Sequence, residues 1–252
     1  MNRITSLSVA LGLAVSGVAR AGLITFDEGG VVHGTIIDNE YAGIGVVITV
    51  DNTSSSGDNP DLGVAFDSTM TGTADDDLED PWSGGNLPNN TVLGHLLIIQ
   101  ENGGDADNDG ILDVAPDDEG QRPAGTITFE FDYLIDSIGF DLIDIEQNNQ
   151  EPGLVATFMG GGAALTTVDF LDFVSGGTFD RNAVYGNNSA NRIAPLTSAE
   201  LGIGAFDTVV FSFGGSGALD NITWTQVPEP SSLVLLGLGL AGLGWRGRRP
   251  AR

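Results

Sequence analysis

The sequence predicts an all-β chain, an antiparallel β-sandwich of jelly-roll type. Residues 126–133 alternate, with Ile127, Phe129, Phe131 and Tyr133 on one face and Thr126, Thr128, Glu130 and Asp132 on the other. That period of two marks a half-buried strand. Clusters of Asn, Asp, Gly and Ser at 53–60, 102–110 and 186–191 separate the apolar runs, as turns between strands do. No segment sustains a 3.6-residue period, and only 197–201 is expected to make a short helical turn. Spaced strands with such turns argue for a sandwich. A β-solenoid is the architectural alternative, but the loops are uneven and no repeat of fixed period is present.

The elements follow in chain order. Arg3 precedes an apolar stretch at 7–18, and Ala19-Arg20-Ala21 forms an A-x-A cleavage site. Residues 1–21 therefore read as a secretory signal peptide and stand outside the fold. Residues 22–226 form the passenger, long enough for one sizeable core. Runs rich in β-branched residues lie at 23–26, 45–50, 92–100 and 154–159. Ile138, Phe140 and Leu142 repeat the alternation, with Ser137, Gly139 and Asp141 opposite. Val209, Phe211 and Phe213 point inward from 208–213, as do Ile222 and Trp224 near the end of the passenger. Residues 227–252 form a tail of different composition. Pro228-Glu229-Pro230 leads into an apolar run at 233–245, which ends at Arg246, Arg248, Arg249 and Arg252. The prolines block continuation from an upstream strand or helix. A spanning helix needs about 20 residues, so this shorter run is expected to form a hydrophobic helix that crosses a bilayer only marginally. The arginines would stay on the cytoplasmic side. The pattern suits a temporary membrane stop that a processing enzyme then resolves.

Charge narrows the possible partners. The chain has 252 residues, no cysteine and 35 Asp plus Glu against nine Lys plus Arg. No lysine is present, and Arg122, Arg181 and Arg192 are the arginines of the passenger. Nucleic-acid binding rests on basic residues that neutralise phosphates, so it is excluded, and docking on anionic membranes is excluded likewise. Such acidity opposes compaction. Either the carboxylates are well spread in water or divalent cations neutralise some of them, a staple where disulfides are missing.

The sharpest chemical pattern is Asp105-Ala106-Asp107-Asn108-Asp109-Gly110-Ile111-Leu112-Asp113. Calcium takes six to eight oxygen ligands. Acidic side chains at alternate positions, a glycine at the sixth and a backbone carbonyl at the seventh wrap one ion. Asp105, Asp107, Asp109, the Ile111 carbonyl and Asp113 are the expected ligands. Pro116 stands at the twelfth position in place of a bidentate Glu, with Asp117, Asp118 or Glu119 as substitutes. The pattern resembles the calcium loops of dockerin-like and thrombospondin type 3 repeats, which implies calcium as cofactor. The alternative is a solvated acidic loop. A weaker candidate joins Asp27 and Glu28, after the first strand, to Asp220 before the last. Alternation puts Asp220 on the side of Ile222 and Trp224, where a lone carboxylate is costly unless paired or metal-bound; otherwise it sits in a turn. The acidic run Asp75-Asp76-Asp77 with Glu79 and Asp80 is expected to be a solvated loop.

Catalysis finds little support. His33 and His95 are the only histidines, and no HExxH or GxSxG motif occurs. A nucleophilic triad needs an activating base beside Ser or Cys, and no context singles one out. The chain is therefore expected not to be an enzyme. Paired carboxylates could serve a glycosidase, but among so many acids no pair stands out. Sugar binding would use an exposed aromatic platform. Trp82, in a polar loop, is the candidate, with Tyr41 and Tyr185 as helpers; the alternative is a lid over the core.

The tail resembles the PEP-CTERM sorting signal in all three parts: Pro228-Glu229-Pro230, the Gly- and Leu-rich apolar run, and the end carrying Arg246, Arg248 and Arg249. The same kind of tail is also called an ice-binding protein C-terminal domain, a label silent about the cargo. The resemblance implies an exosortase partner, cleavage near the motif, and delivery to the bacterial cell surface or extracellular matrix. The expectation is then an exported, non-enzymatic structural or adhesive protein of exopolysaccharide or biofilm, stabilised by calcium. A lectin-like carbohydrate-binding module is the alternative, and a glycan-active enzyme the third reading.

Overall fold

The structure, a computed structural model, describes residues 19–53, 60–118, 122–146 and 153–228. The strands are β1 Ala21–Ile24, β2 Val46–Asn52, β3 Gly63–Asp67, β4 Gly84–Gly85, β5 His95–Ile99, β6 Gly125–Ile143, β7 Val155–Gly160, β8 Ala163–Asp169, β9 Ser189–Thr197, β10 Phe206–Phe213 and β11 Ala218–Gln226. A one-turn helix, α1 Ser198–Leu201, follows β9. Its start carries a capping box between Thr197 and Glu200, and Gly202 closes it in the left-handed conformation. The helical turn expected at 197–201 is thus present.

The backbone of the fold is β6. Its first half pairs with β2 and β10, and its second half pairs with β9 and β11. The sheet order runs β3-β5-β11-β6-β10-β7-β8, with β1 on β11, β2 and β9 on β6, and β4 on β9. Every pairing is antiparallel except β4 with β9. In place of two separate jelly-roll sheets, the ladders run unbroken through β6 as one curled sheet. Aromatic contacts show the curl. Phe129, from the first half of β6, and Phe140, from the second, both pack edge-on against Phe211, at ring distances of 5.8 and 4.7 Å.

Sequence alternation split β6 into two strands because its inward phase changes. Ile127, Phe129, Phe131 and Ile135 are buried at odd positions, whereas Ile138, Phe140 and Leu142 reach the same core from even ones. The β11 register slips between Thr225 and Gln226, which pair with Ser137 and Ile135. The extra residue opposite that slip is Asp136. One unpaired residue flips every following side chain to the other face, so a single strand reads as two.

A second, smaller core lies on the outer face of β3 and β5. Val64, Phe66, Leu96 and Ile98 pack there against Leu78, Trp82 and Leu93 from residues 68–94. This covering segment explains why β3 is buried on both faces, and a strand buried on both faces shows no alternation. β3, β8 and β9 were not anticipated. β9 begins inside the Asn-rich 186–191 cluster, which had been expected to be a turn throughout. Ala21–Val227 forms one compact unit. The apolar stretch at 7–18 and the tail from Glu229 onward lie outside the described residues. Among the described residues no helix is long and apolar enough to cross a membrane.

Candidate functional site

The loop at 105–113 brings three of its acids together. Asp105, Asp107 and Asp109 each place a carboxylate oxygen within 4.8 Å of the others. Backbone amides organise them. Asp105 accepts from the N–H groups of Asn108 at 2.7 Å, Asp109 at 3.3 Å and Gly110 at 2.9 Å. Asp107 accepts from Asp109 N–H, and Asp109 from Ile111 N–H. Asp113 Oδ2 accepts from Ala106 N–H across the loop at 2.7 Å. Gly110 takes the left-handed conformation expected of the sixth position (φ 87°), and Asn108 does so as well (φ 62°).

Local charge follows this geometry. The Gly110 amide, with those of Asn108 and Asp109, holds Asp105 below the ordinary carboxylate range. The Asp109 charge pushes Asp107 upward. Amide donation thus lowers one acid of the loop, and like charge raises its neighbour. The loop is docked to the fold by a bridge between Thr35 and Ile111 and by the Ile36 N–H bond to the Gly110 carbonyl. It is a preformed oxygen-rich turn, the kind of donor set that suits a hard cation.

The weaker candidate is not assembled. Asp27 accepts from His95, at 2.7 Å to the ring Nδ1 and 3.0 Å to the backbone N–H. Glu28 takes Thr25 N–H and hydroxyl, and the Tyr41 hydroxyl at 3.1 Å. Asp220 is fully buried within β11 rather than in a turn. It accepts from the amide of Asn221, which also donates to Asp141 at 3.0 Å. Burial pushes Asp220 well above the usual range, and the Asp141 and Asp27 charges add to this. The three proposed ligands thus each hold hydrogen-bond partners of their own, with the Asp27 charge near enough to act on Asp220.

Trp82 corrects a second expectation. It is 1% exposed, and its indole N–H donates to the Thr91 carbonyl at 2.8 Å. It is a lid beneath residues 68–94, not an open platform for a sugar ring. Tyr185 likewise donates its hydroxyl to the Phe170 carbonyl inside the fold. His95, on β5 between β3 and β11, has its ring nitrogen satisfied by Asp27.

Sequence inspection missed the buried acids. Asp141 is fully buried and takes a two-pronged contact from Arg192, Nε at 2.8 Å and a terminal nitrogen at 2.7 Å. Asp75, expected in a solvated run, is turned inward and is 2% exposed. Asp118 and Asp144 are equally enclosed. A carboxylate inside an otherwise apolar alternation, as Asp141 is between Phe140 and Leu142, was the one available signal.

The passenger ends at β11, and the tail begins at once. Pro228 is the last described residue; Glu229, Pro230, Arg246, Arg248 and Arg249 lie outside the described residues. No curated protein and no solved structure matches the chain. The sequence family described as the PEP-CTERM protein-sorting motif matches residues 226–249, and that motif supports an exported protein that exosortase processes and sorts to the surface.

Proposed function

We propose that the chain is a non-enzymatic structural or adhesive protein of the bacterial cell surface or extracellular matrix, working within exopolysaccharide. The sorting motif at 226–249 carries this reading. The tail would hold the precursor briefly in the membrane through its apolar run and arginine end, until exosortase acts near Pro228-Glu229-Pro230. The lysine-free acidic passenger fits a matrix role, because divalent cations can bridge its carboxylates to acidic polymer. Calcium at Asp105, Asp107, Asp109, the Ile111 carbonyl and Asp113 would stiffen the loop that docks on Thr35 and Ile36. The burial of Trp82 removes the feature that favoured a lectin-like module.

Cell fractionation tests the sorting. The full-length chain is expressed in hosts with and without an exosortase, and beside it a Pro228→Ala, Glu229→Ala, Pro230→Ala variant. The wild-type chain is expected to reach the surface or medium shortened at its C-terminus. The variant, and the wild type in the exosortase-free host, are expected to remain as longer, membrane-associated precursor. Equal release of variant and wild type would overturn the reading.

A further inference from the structure

Asp75, Asp118 and Asp144 come from distant parts of the chain and meet inside the fold. Asp75 stands at the head of the 3₁₀ turn Asp76–Leu78 in the covering segment. Asp118 precedes β6, and Asp144 follows it directly. Each is 1 or 2% exposed. Ser216, in the turn between β10 and β11, is 2% exposed and joins two of them. Its hydroxyl lies 2.7 Å from Asp144 Oδ2 and 3.3 Å from Asp118 Oδ1. Asp118 also accepts from the Gly217 N–H at 2.8 Å, and Asp144 accepts from the Asn188 N–H at 2.5 Å. Asp118 and Asp75 touch through their carboxyl groups.

This arrangement lacks positive charge. One serine hydroxyl has a single proton and can donate to only one of its two carboxylate neighbours. Two touching carboxylates need a shared proton or a shared cation. Asp75 Oδ1 already accepts from the Asp77 N–H at 3.2 Å, which leaves Oδ2 open to either. That oxygen is buried and has no hydrogen-bond partner among the described residues, a rare state that calls for an explanation. Arg192 is committed to Asp141, and Arg181 to Glu200 at 2.9 Å. Burial, and then the Asp75 charge beside it, holds Asp118 well above the usual carboxylate range. Burial also pushes Asp144 up to about 8. Asp118 and Asp144, enclosed beside one hydroxyl, are held toward their neutral forms without a counter-charge.

We infer that Asp75, Asp118 and Asp144, with the Ser216 hydroxyl, form a binding site for one buried divalent cation, calcium by its all-oxygen donor set. Calcium accepts six to eight oxygens in flexible geometry, whereas a thiolate or imidazole set would point to zinc. Asp75 Oδ2 supplies the ligand that nothing else satisfies. The carboxyls form a chain through Ser216 rather than a closed triangle, so the ion draws them together and replaces the protons they otherwise need. Bound there, it clips the covering segment 68–94 to the end of β6 and to the β10–β11 turn. This site is separate from the 105–113 loop and does not depend on the sorting reading.

The experiment uses the purified full-length chain, calcium chloride as probe, and thermal melting in EDTA or calcium. Two variants are compared with wild type: Asp107→Asn with Asp109→Asn for the loop, and Asp75→Asn with Asp144→Asn for the buried site. At a hundredfold excess over Kd, calcium is expected to raise the wild-type Tm by roughly 5–10 °C. The loop variant keeps most of that rise. The buried-site variant loses most of it. Equilibrium dialysis of the loop variant guards against misfolding of the buried-site variant; one bound calcium per chain is expected. A calcium rise undiminished by Asp75→Asn with Asp144→Asn, or a loop variant that binds no calcium, would overturn the inference. Loss of binding in the loop variant alone would leave the loop reading standing.

Discussion

Asp141 shows most directly how single residues are balanced in this fold. Its carboxylate is fully buried, and Arg192 reaches it from a half-exposed position with two hydrogen bonds. Burial pushes Asp141 up, while the guanidinium and the Asn221 amide oppose that shift. Removing one partner of a buried pair costs about 3–5 kcal/mol, because the other charge is left stranded. Arg192→Met is therefore expected to cost about 3 kcal/mol at neutral pH, the low end, since Arg192 is partly in water. The sign of the pH dependence follows from the raised Asp141 pKa. A buried acid that prefers its proton is least harmful at low pH, so the deficit of Arg192→Met should shrink as pH falls and grow as pH rises. Adding Asp141→Asn should restore most of the loss. Urea melts of the single and double variants at several pH values measure all three; a deficit that ignores pH would show that Asp141 does not carry the effect. No such pairing was legible beforehand. Asp141 and Arg192 are far apart in sequence, and only the β6–β9 ladder sets them side by side. The same holds for Asp75, Asp118 and Asp144, which lie far apart in the chain and meet only through long-range packing.

At the scale of elements, periodicity told the truth wherever one face of a strand is wet. The first half of β6 and β10 from Thr208 onward alternate as expected, since one face of each is turned to the core. β3 was invisible because both its faces are covered. β6 was cut in two because the extra residue at Asp136 reverses its phase. The Asp105–Asp109 loop was legible for the opposite reason: its geometry is local, fixed by side chains bonding to amides two to five residues away. Residues 68–94 were the least legible, a polar stretch in which Leu78, Trp82 and Leu93 turn inward while Met70 and Val92 stay exposed. Trp82 is its anchor against Phe66, Leu96 and Ile98 in the second core. Truncating a buried Trp costs about 3–5 kcal/mol through lost burial and the cavity left behind. Trp82→Ala should therefore lower stability by that amount in a denaturant melt. Hydrogen exchange should quicken first in residues 68–94, with β7 and β10 protected as before. Uniform quickening through the whole sheet would mean that the covering segment is not a separate unit of stability.

For the whole molecule, a formal charge of −26 acts against the fold everywhere at once. The surface acids repel one another through water, while Asp75, Asp118 and Asp144 are enclosed in a shielded volume. The two contributions respond differently to salt. The Debye length shrinks from about 30 Å at 0.01 M to about 8 Å at 0.15 M, so monovalent salt screens the surface set and hardly reaches the enclosed one. Raising sodium chloride across that range in EDTA should lift the melting temperature by a few degrees. The rise should be the same in wild type and in Asp75→Asn with Asp144→Asn, because a delocalised repulsion does not depend on one cluster. Calcium added at matched ionic strength should then lift the wild type further than that variant. If sodium chloride alone reproduced the full calcium effect, general screening would be sufficient, and the counter-charge would be spread over the surface rather than held at one buried point.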